Sequence, residues 1–178
     1  MKTAAKRVIN PFRFAARQVE LKDMRAFPAL FPASGRFSGG VHLFPVRVYF
    51  EDTDAGGIVY HANYLRFMER ARSDMLRVAG IDQRGALDSG EGVYAIADCT
   101  IAYKRPAKLD DDLLVISRVV KVGAATCTIA QDIHRGEELL TAAQVTAAYL
   151  SPGGRPKRQP KAWIDIFTRI SQGEELTL

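Results

Sequence analysis

The chain has 178 residues, of which 47% are hydrophobic and 25% are charged, and its formal net charge is +5. This length and composition are typical of one globular domain whose core is large enough to fold without disulfides or metals. No stretch approaches the roughly 20 apolar residues of a membrane span, and none has the apolar centre of a secretory signal.

The basic residues are concentrated near the N-terminus. Residues 1–40 contain eight Lys or Arg and two acidic residues, whereas the remainder contains 17 basic and 18 acidic residues. We therefore expect a flexible basic extension at 1–44, a folded domain at 45–172, a polar tail at 173–178 and no nucleic-acid binding by the domain. The extension also fits a transit peptide, an upstream start assignment or a basic arm that contacts either the anionic lipid of a membrane surface or nucleic acid.

Two cysteines, Cys99 and Cys127, lie in segments that are predicted to be strands. Their spacing matches neither a Cys-x-x-Cys motif nor a Cys/His zinc site. We expect reduced core thiols, a cytoplasmic protein and no bound metal.

The first regular element begins at Pro45, where Val46, Val48 and Phe50 alternate with polar residues as in a half-buried strand. An acidic stretch with two glycines follows it directly. A long amphipathic helix is predicted over 64–79, because apolar residues recur there at helical spacing and Gly80 follows as a stop signal.

Four further strands are predicted at about 93–103, 113–122, 124–134 and 139–150, followed by a short helix at 162–171. Short connections at Gly123 and 135–138 favour consecutive antiparallel strands. The order of strand, long helix and four strands predicts an α+β fold with one helix lying on an antiparallel sheet.

The acidic loop carries the candidate chemistry, since Asp54 precedes a predicted helix start near His61. Backbone N–H groups at a helix start favour developing negative charge. A calcium loop starting at Asp52 would lack ligands at Gly56 and Asn63, and a transition-metal site would lack a second nearby histidine. The remaining alternatives are acyl chemistry at Asp54 and a purely structural role in which Asp54 caps the turn and His61 caps the helix.

The residues from Val46 through Tyr64, continuing to Arg72, resemble the acyl-CoA thioesterases encoded with the Tol-Pal system, a branch of the 4-hydroxybenzoyl-CoA thioesterase group. The run from Tyr103 to Asp111 also resembles that family. The similarity spans about 45–165. It implies a hotdog fold, in which an antiparallel sheet wraps around the helix, and homodimers or homotetramers with interfacial active sites.

The resemblance places the catalytic carboxylate on Asp54 and the helix-start histidine on His61, and it implies no cofactor beyond the coenzyme A of the substrate. Phe50 departs from relatives that carry Tyr at this position. Tyr49 does not replace that hydroxyl if the strand continues here, because neighbouring side chains of a strand point to opposite faces. The expected substrate-binding residues, around the helix start and in two basic connections, are Gly57, Tyr60, Asn63, Tyr64, Lys104, Arg105, Lys108, Arg155, Lys157 and Arg158.

The expected reaction is hydrolysis of a thioester of coenzyme A or an acyl-carrier protein, with Asp54 as general base or nucleophile. Two other functions stay open. One is a hotdog hydratase, although its Asp and His are expected five residues apart, whereas Asp54 and His61 are seven apart. The other is a non-catalytic binding module held by the basic extension.

Overall fold

The computed structural model describes residues 34–174, which form one antiparallel sheet with helices packed against it. The elements are β1 (Arg36–Ser38), β2 (Val41–Arg47), a 3-10 turn (Phe50–Asp52), α1 (His61–Val78), α2 (Gln83–Asp88), β3 (Val93–Tyr103), β4 (Asp112–Val122), β5 (Thr126–Arg135), β6 (Glu138–Leu150) and α3 (Lys161–Ser171). The predicted α+β class, the long helix, the four later strands and the last helix are confirmed. No helix in residues 34–174 is long and apolar enough to cross a membrane.

The sheet has the strand order β1-β2-β4-β5-β6-β3, and every neighbouring pair is antiparallel. The strands β4, β5 and β6 follow one another through the two predicted short connections. The first of the four predicted strands behaves differently, because β3 pairs with β6 and not with β4. The position beside β4 is taken by β2, and Val48 N extends this contact by donating to Asp111 O at 3.0 Å.

The helix α1 packs against β2 and β4 through its apolar side. Tyr64, Met68, Ala71 and Met75 are at most 3% exposed, as their spacing predicts, whereas the opposite side of the helix is polar. Each large apolar side chain that is buried in this way stabilises the folded state by roughly 1.5–3 kcal/mol. Because several of them lie on one side of α1, their burial against the sheet holds the helix in this position.

The N-terminal boundary and the first strand differ from the prediction. The sheet begins at Arg36, not at residue 45, while residues 1–33 and 175–178 lie outside the described part. The alternation ends at Val48, and Tyr49 and Phe50 are both mainly exposed, so they do not point to opposite faces of a strand. The reason is local: Tyr49 N donates to Asp52 Oδ2 at 2.9 Å, which turns the chain out of the strand.

The strand β3 forms one edge of the sheet, and its outer side has no partner strand among residues 34–174. Five consecutive residues in its middle, 96–100, are exposed on both faces. Cys127 is buried as expected, but Cys99 lies in this exposed stretch, so its prediction as a core thiol is wrong. Long unprotected edges of this kind readily pair with another chain.

A buried polar cluster ties the segment before β1 to α1. His42 Nε2 lies 3.0 Å from Asp74 Oδ2, and the Asp74 carboxylate also accepts from Ser34 Oγ, Gly35 N and Arg77 Nη2. Burial alone would raise the pKa of Asp74, but these hydrogen bonds outweigh it and hold the pKa below its usual value. Burial lowers the pKa of His42, although Asp74 opposes this shift.

We expect acidification from pH 7.5 to 5.0 to lower the free energy of unfolding through His42. Because its folded-state pKa is depressed, the unfolded chain binds the proton first, near pH 6.5, and stability falls as the pH drops below this value. Asp74 acts in the same direction at lower pH, because its folded-state pKa is also depressed: its stabilisation is present above its unfolded pKa of about 4 and is lost as the pH falls further. Urea unfolding of wild type and His42→Gln at both pH values tests this, since an equal pH dependence in the two proteins contradicts the assignment.

Candidate active site

The acidic stretch folds into a closed loop between the 3-10 turn and α1. Thr53 and Val59 form an antiparallel bridge across it, and Asp54 N donates to Ile58 O at 2.9 Å. Gly57 N donates to Asp54 O at 3.0 Å, which closes a tight turn. Gly57 has a φ of +72°, a conformation that side chains other than glycine rarely adopt. The turn therefore depends on glycine at this position.

The carboxylate of Asp54 is held at this turn in an exposed position. Its Oδ1 accepts a hydrogen bond from Gly56 N at 2.8 Å. Its Oδ2 has no donor within residues 34–174. One oxygen thus orients the group, while the other is open to a ligand or a water molecule.

The start of α1 is secured by contacts to the same loop. Tyr60 N and Asn63 Nδ2 each donate to Asp52 O at 2.9 Å. Across the described residues, no acceptor meets the N–H groups of His61 and Ala62. These two donors lie at the positive end of an 18-residue helix and favour an oxygen that carries negative charge.

Asp54 and His61 line one open cavity of about 450 Å³. The residues around it come from the acidic loop, the first turn of α1 and the end of β3 with its following connection: Asp54, Ile58, Val59, His61, Tyr64, Tyr103, Lys104, Arg105 and Pro106. A carboxylate, a helix start and two basic side chains therefore meet at one surface opening.

Two tyrosines form the aromatic wall of this cavity. Tyr64 is buried, and its hydroxyl accepts from Ala107 N at 2.8 Å. Tyr103 donates to His61 O at 3.0 Å, and its ring meets that of Tyr64 edge-on at 5.7 Å. Burial raises the pKa of both phenols, so both stay neutral at physiological pH. Tyr103 was not predicted as a site residue, although its place at the end of a predicted strand was a usable signal.

The expected substrate-binding residues around the helix start occupy three different settings. Gly57 shapes the turn, and Tyr60 is half exposed with its ring 4.4 Å from that of His61. Asn63 is buried, and its amide is engaged with Asp52. Only Tyr64 among these four lines the cavity itself.

The basic residues divide into two groups. Lys104 and Arg105 line the cavity, and Lys108 follows in the same connection, where Lys108 N donates to Asp111 Oδ2 at 2.8 Å. Arg135 also binds Asp111 at 2.6 Å, and this contact fixes the connection beside the cavity.

The second group lies at the far end of the sheet. The pairing of β3 with β6 runs from Tyr103 opposite Thr141 to Val93 opposite Leu150, which spans about 33 Å. The loop that carries Arg155, Lys157 and Arg158 follows directly after Leu150, and Lys157 Nζ donates to Glu91 O at 2.5 Å. Within one protomer, the structure does not bring these three residues to the cavity.

The Asn63 contact makes a specific prediction. We expect Asn63→Ala to lower the free energy of unfolding by about 1 kcal/mol, because Asp52 O loses one of its two donors and keeps only Tyr60 N. Thermal unfolding measures this change. The exposed Ser73→Ala on the same helix is the control and shifts stability by less than about 0.5 kcal/mol. Equal stability of the two variants would show that the contact does not secure the helix start.

Comparison with known proteins agrees with this fold. Residues 56–142 match the thioesterase superfamily. The acyl-CoA thioesterase YbgC of Haemophilus influenzae is 42% identical over 120 residues, which cover 67% of this chain and 86% of that protein. The acyl-CoA thioester hydrolase YbgC of Escherichia coli is 38% identical over 126 residues, which cover 70% and 93%.

Solved structures are similar as well. A probable thioesterase from Bartonella henselae is 37% identical, with a TM-score of 0.64 over 67% of this chain and 99% of that one. A 1,4-dihydroxy-2-naphthoyl-CoA thioesterase from Synechocystis, at 22% identity and a TM-score of 0.68, shares the fold over 72% and 96%. The strand order, the helix position and these relatives lead to one conclusion: the chain belongs to the thioesterase superfamily and has the hotdog fold.

Proposed function

We propose that this protein hydrolyses acyl thioesters of coenzyme A at the cavity lined by Asp54 and His61. The observation that carries the proposal is the meeting of an exposed, oriented carboxylate with the start of α1 at one opening. The similarity to acyl-CoA thioesterases of two bacteria supports the choice of coenzyme A as the thiol carrier.

The start of α1 is suited to polarise the thioester carbonyl. With the carbonyl oxygen against the N–H groups of His61 and Ala62, negative charge develops at the positive end of the helix. One preorganised donor of this kind is worth about 10²–10³ in rate. The Tyr103 hydroxyl donates to the His61 carbonyl, which belongs to the same peptide group as the Ala62 N–H, and this contact keeps the donors in place.

Asp54 then acts through its open Oδ2 by one of two routes. As a general base it takes a proton from water, which attacks the carbonyl carbon and expels the thiolate. As a nucleophile it forms a mixed anhydride and expels the thiolate, and water then cleaves the anhydride. A single turnover in ¹⁸O-water distinguishes the two routes. In the general-base route the released acid carries the ¹⁸O. In the nucleophilic route, when water attacks the Asp54 carboxyl carbon of the anhydride, the ¹⁸O enters Asp54 and the first acid released carries no label.

The edge strand β3 supports a homodimer in which two copies pair along it. The doubly exposed stretch 96–100 is centred on Asp98, and an antiparallel two-fold pairing there sets Tyr103 opposite Val93 of the partner subunit. A dimer built this way joins the two sheets into one and can pair further into a tetramer.

This pairing also gives the second basic group a role. The partner subunit's loop with Arg155, Lys157 and Arg158 follows the strand that lies beside Val93, so the two-fold axis carries it toward Lys104 and Arg105 of the first subunit. We infer that these side chains, together with Lys108, bind the phosphates of coenzyme A across the interface. An acidic acyl-carrier protein would be attracted to the same basic surface.

The experiment that tests the proposed function is release of free thiol from acyl-CoAs of several chain lengths, with an acyl-carrier-protein thioester in parallel. Turnover of the acyl-CoAs supports the proposal. Turnover of the carrier-protein thioester alone would show that the substrate is a thioester of the acyl-carrier protein and not of coenzyme A. Absence of turnover with every thioester overturns the proposal.

The basic N-terminus keeps a second candidate function open, namely a binding module held at an anionic membrane surface. Deletion of residues 1–40 is not a clean test, because it removes β1 and the Asp74 partners Ser34 and Gly35. Deletion of residues 1–32 leaves these contacts intact. If the protein without residues 1–32 no longer floats with anionic vesicles but still hydrolyses thioesters fully, the extension makes the membrane contact and the domain carries out catalysis.

A further inference from the structure

An ionic network borders the cavity at Asp54 and joins two segments, the connection 104–111 after β3 and the hairpin 135–138 between β5 and β6. Arg135 lies at its centre, although it does not line the cavity itself. Its Nη1 donates to Asp111 Oδ2 at 2.6 Å, and its Nη2 donates to Glu138 Oε2 at 2.5 Å. Arg135 is therefore the shared counter-ion of two carboxylates.

The Asp111 carboxylate fixes the backbone of the connection. Asp111 Oδ2 accepts from Lys108 N at 2.8 Å, and Arg135 Nη1 reaches Pro106 O at 3.4 Å. Burial alone would raise the pKa of Asp111, but donation from Lys108 N and Arg135 holds it below its usual value, so this carboxylate is charged at neutral pH. Within residues 34–174, no carboxylate pairs with the ammonium groups of Lys104 and Lys108.

The Glu138 carboxylate lies between two arginines. Its Oε2 is bound by Arg135, and its Oε1 lies 3.7 Å from Nε of Arg105, whose side chain lines the cavity and is 67% exposed. Exposed ion pairs of this length are weak, whereas a phosphate binds an arginine through two parallel hydrogen bonds. A phosphate can therefore displace Glu138 from Arg105.

The charge of the two segments is balanced, so the pairing decides which cations are available. Their four basic side chains are Lys104, Arg105, Lys108 and Arg135, and their four acidic ones are Asp110, Asp111, Glu137 and Glu138. Arg135 engages Asp111 and one oxygen of Glu138. This leaves the two lysines free and Arg105 only loosely held.

We propose that Arg135 and Glu138 set the affinity of this site for the phosphates of coenzyme A. Arg135 is a positioning residue that holds the connection and neutralises its carboxylates, and Glu138 restrains Arg105 until a phosphate displaces it. The proposal rests on the proposed function. Because neither side chain lines the cavity, both act on the binding of the carrier and not on the chemical step.

The first test is the Kd of free coenzyme A, measured by titration calorimetry, together with the KM of an acyl-CoA. Glu138→Gln releases Arg105, and we expect both constants to fall by about two- to fivefold. Arg135→Gln leaves two carboxylates to compete with phosphate for the basic side chains, and both constants should rise by about fivefold or more. The kcat of each variant stays within about twofold of wild type.

The double variant separates charge competition from simple damage to the fold. Glu138→Gln in the Arg135→Gln background removes a competing carboxylate, so we expect the Kd of coenzyme A to return to within about threefold of wild type. A purely structural role of the two contacts predicts that the double variant binds no better than Arg135→Gln.

Two controls accompany these variants. A thioester of the same acyl group with N-acetylcysteamine has no phosphate, so its kcat/KM should change by less than about twofold in all three variants. Arg118→Gln breaks an exposed ion pair to Asp132 of 2.8 Å on β4 and β5, outside the two segments, and should leave the Kd of coenzyme A unchanged.

The outcomes distinguish this proposal from the proposed function. An unchanged Kd in both single variants, no recovery in the double variant, or equal losses with coenzyme A and N-acetylcysteamine thioesters overturns the role of Arg135 and Glu138 while hydrolysis at Asp54 stands. Absence of both coenzyme A binding and thioester hydrolysis in the wild-type protein overturns both.

Discussion

Asp54→Asn is expected to lower kcat/KM for acyl-CoA hydrolysis by about 10²–10⁴-fold while the thermal midpoint stays close to that of wild type. An amide neither takes the proton of water nor attacks the carbonyl carbon. The amide oxygen still accepts from Gly56 N, and the residue is exposed, so the folded state loses little.

Glu51→Gln is the matched control for this experiment, because it removes an exposed carboxylate from the same segment, three residues earlier. Thiol release by this variant should equal that of wild type. If Asp54→Asn also retained full turnover, Asp54 would act only as the cap of its turn, and the chemistry would have to lie elsewhere.

The second large effect is expected at the β3 edge. Ala97→Glu adds a second carboxylate beside Asp98 in the exposed stretch, so that the two subunits bring four carboxylates to the two-fold axis in place of the two of Asp98, at a cost of several kcal/mol. We expect a monomer by light scattering and a loss of at least tenfold in kcat/KM, because the proposed phosphate site needs the basic loop of the partner subunit.

Val120→Glu is the control for the edge variant, since it introduces the same charge at a half-exposed position of an interior strand. It should stay dimeric and active. A fully active monomer of Ala97→Glu would show that one protomer holds the whole site, and a dimer that persists would place the subunit interface away from β3.

Local patterns were enough to predict most of the elements and the tight turn at Asp54 before a helix. The helical spacing of Tyr64, Met68 and Ala71 predicted the buried side of α1, because packing against one sheet face requires that spacing. The glycines after Asp54 predicted a tight turn before a helix, and Gly57 has the required positive φ. Such features depend on a few neighbouring residues, which are all visible in the chain.

The errors arose where local patterns competed with contacts made elsewhere. Phe50 continued an alternating pattern, but the hydrogen bond from Tyr49 N to the Asp52 carboxylate ended the strand before it. The six-residue helix α2, capped by Asp82, which accepts from Gly85 N at 2.9 Å, lies in a segment for which no helix was predicted. Cys99 matched a core strand in composition, yet β3 became the edge of the sheet.

By itself, the sequence determined the α+β class, the order of the elements and the acidic loop that enters a helix, because periodicity and turn chemistry act over a few residues. Tertiary structure alone decided that β3 pairs with β6, that Tyr103 contacts His61 and that the two basic groups lie at opposite ends of the β3–β6 pair. Those facts depend on residues that meet from distant parts of the chain. Their pairing follows from the packing of the whole sheet against α1, which no short stretch of sequence specifies.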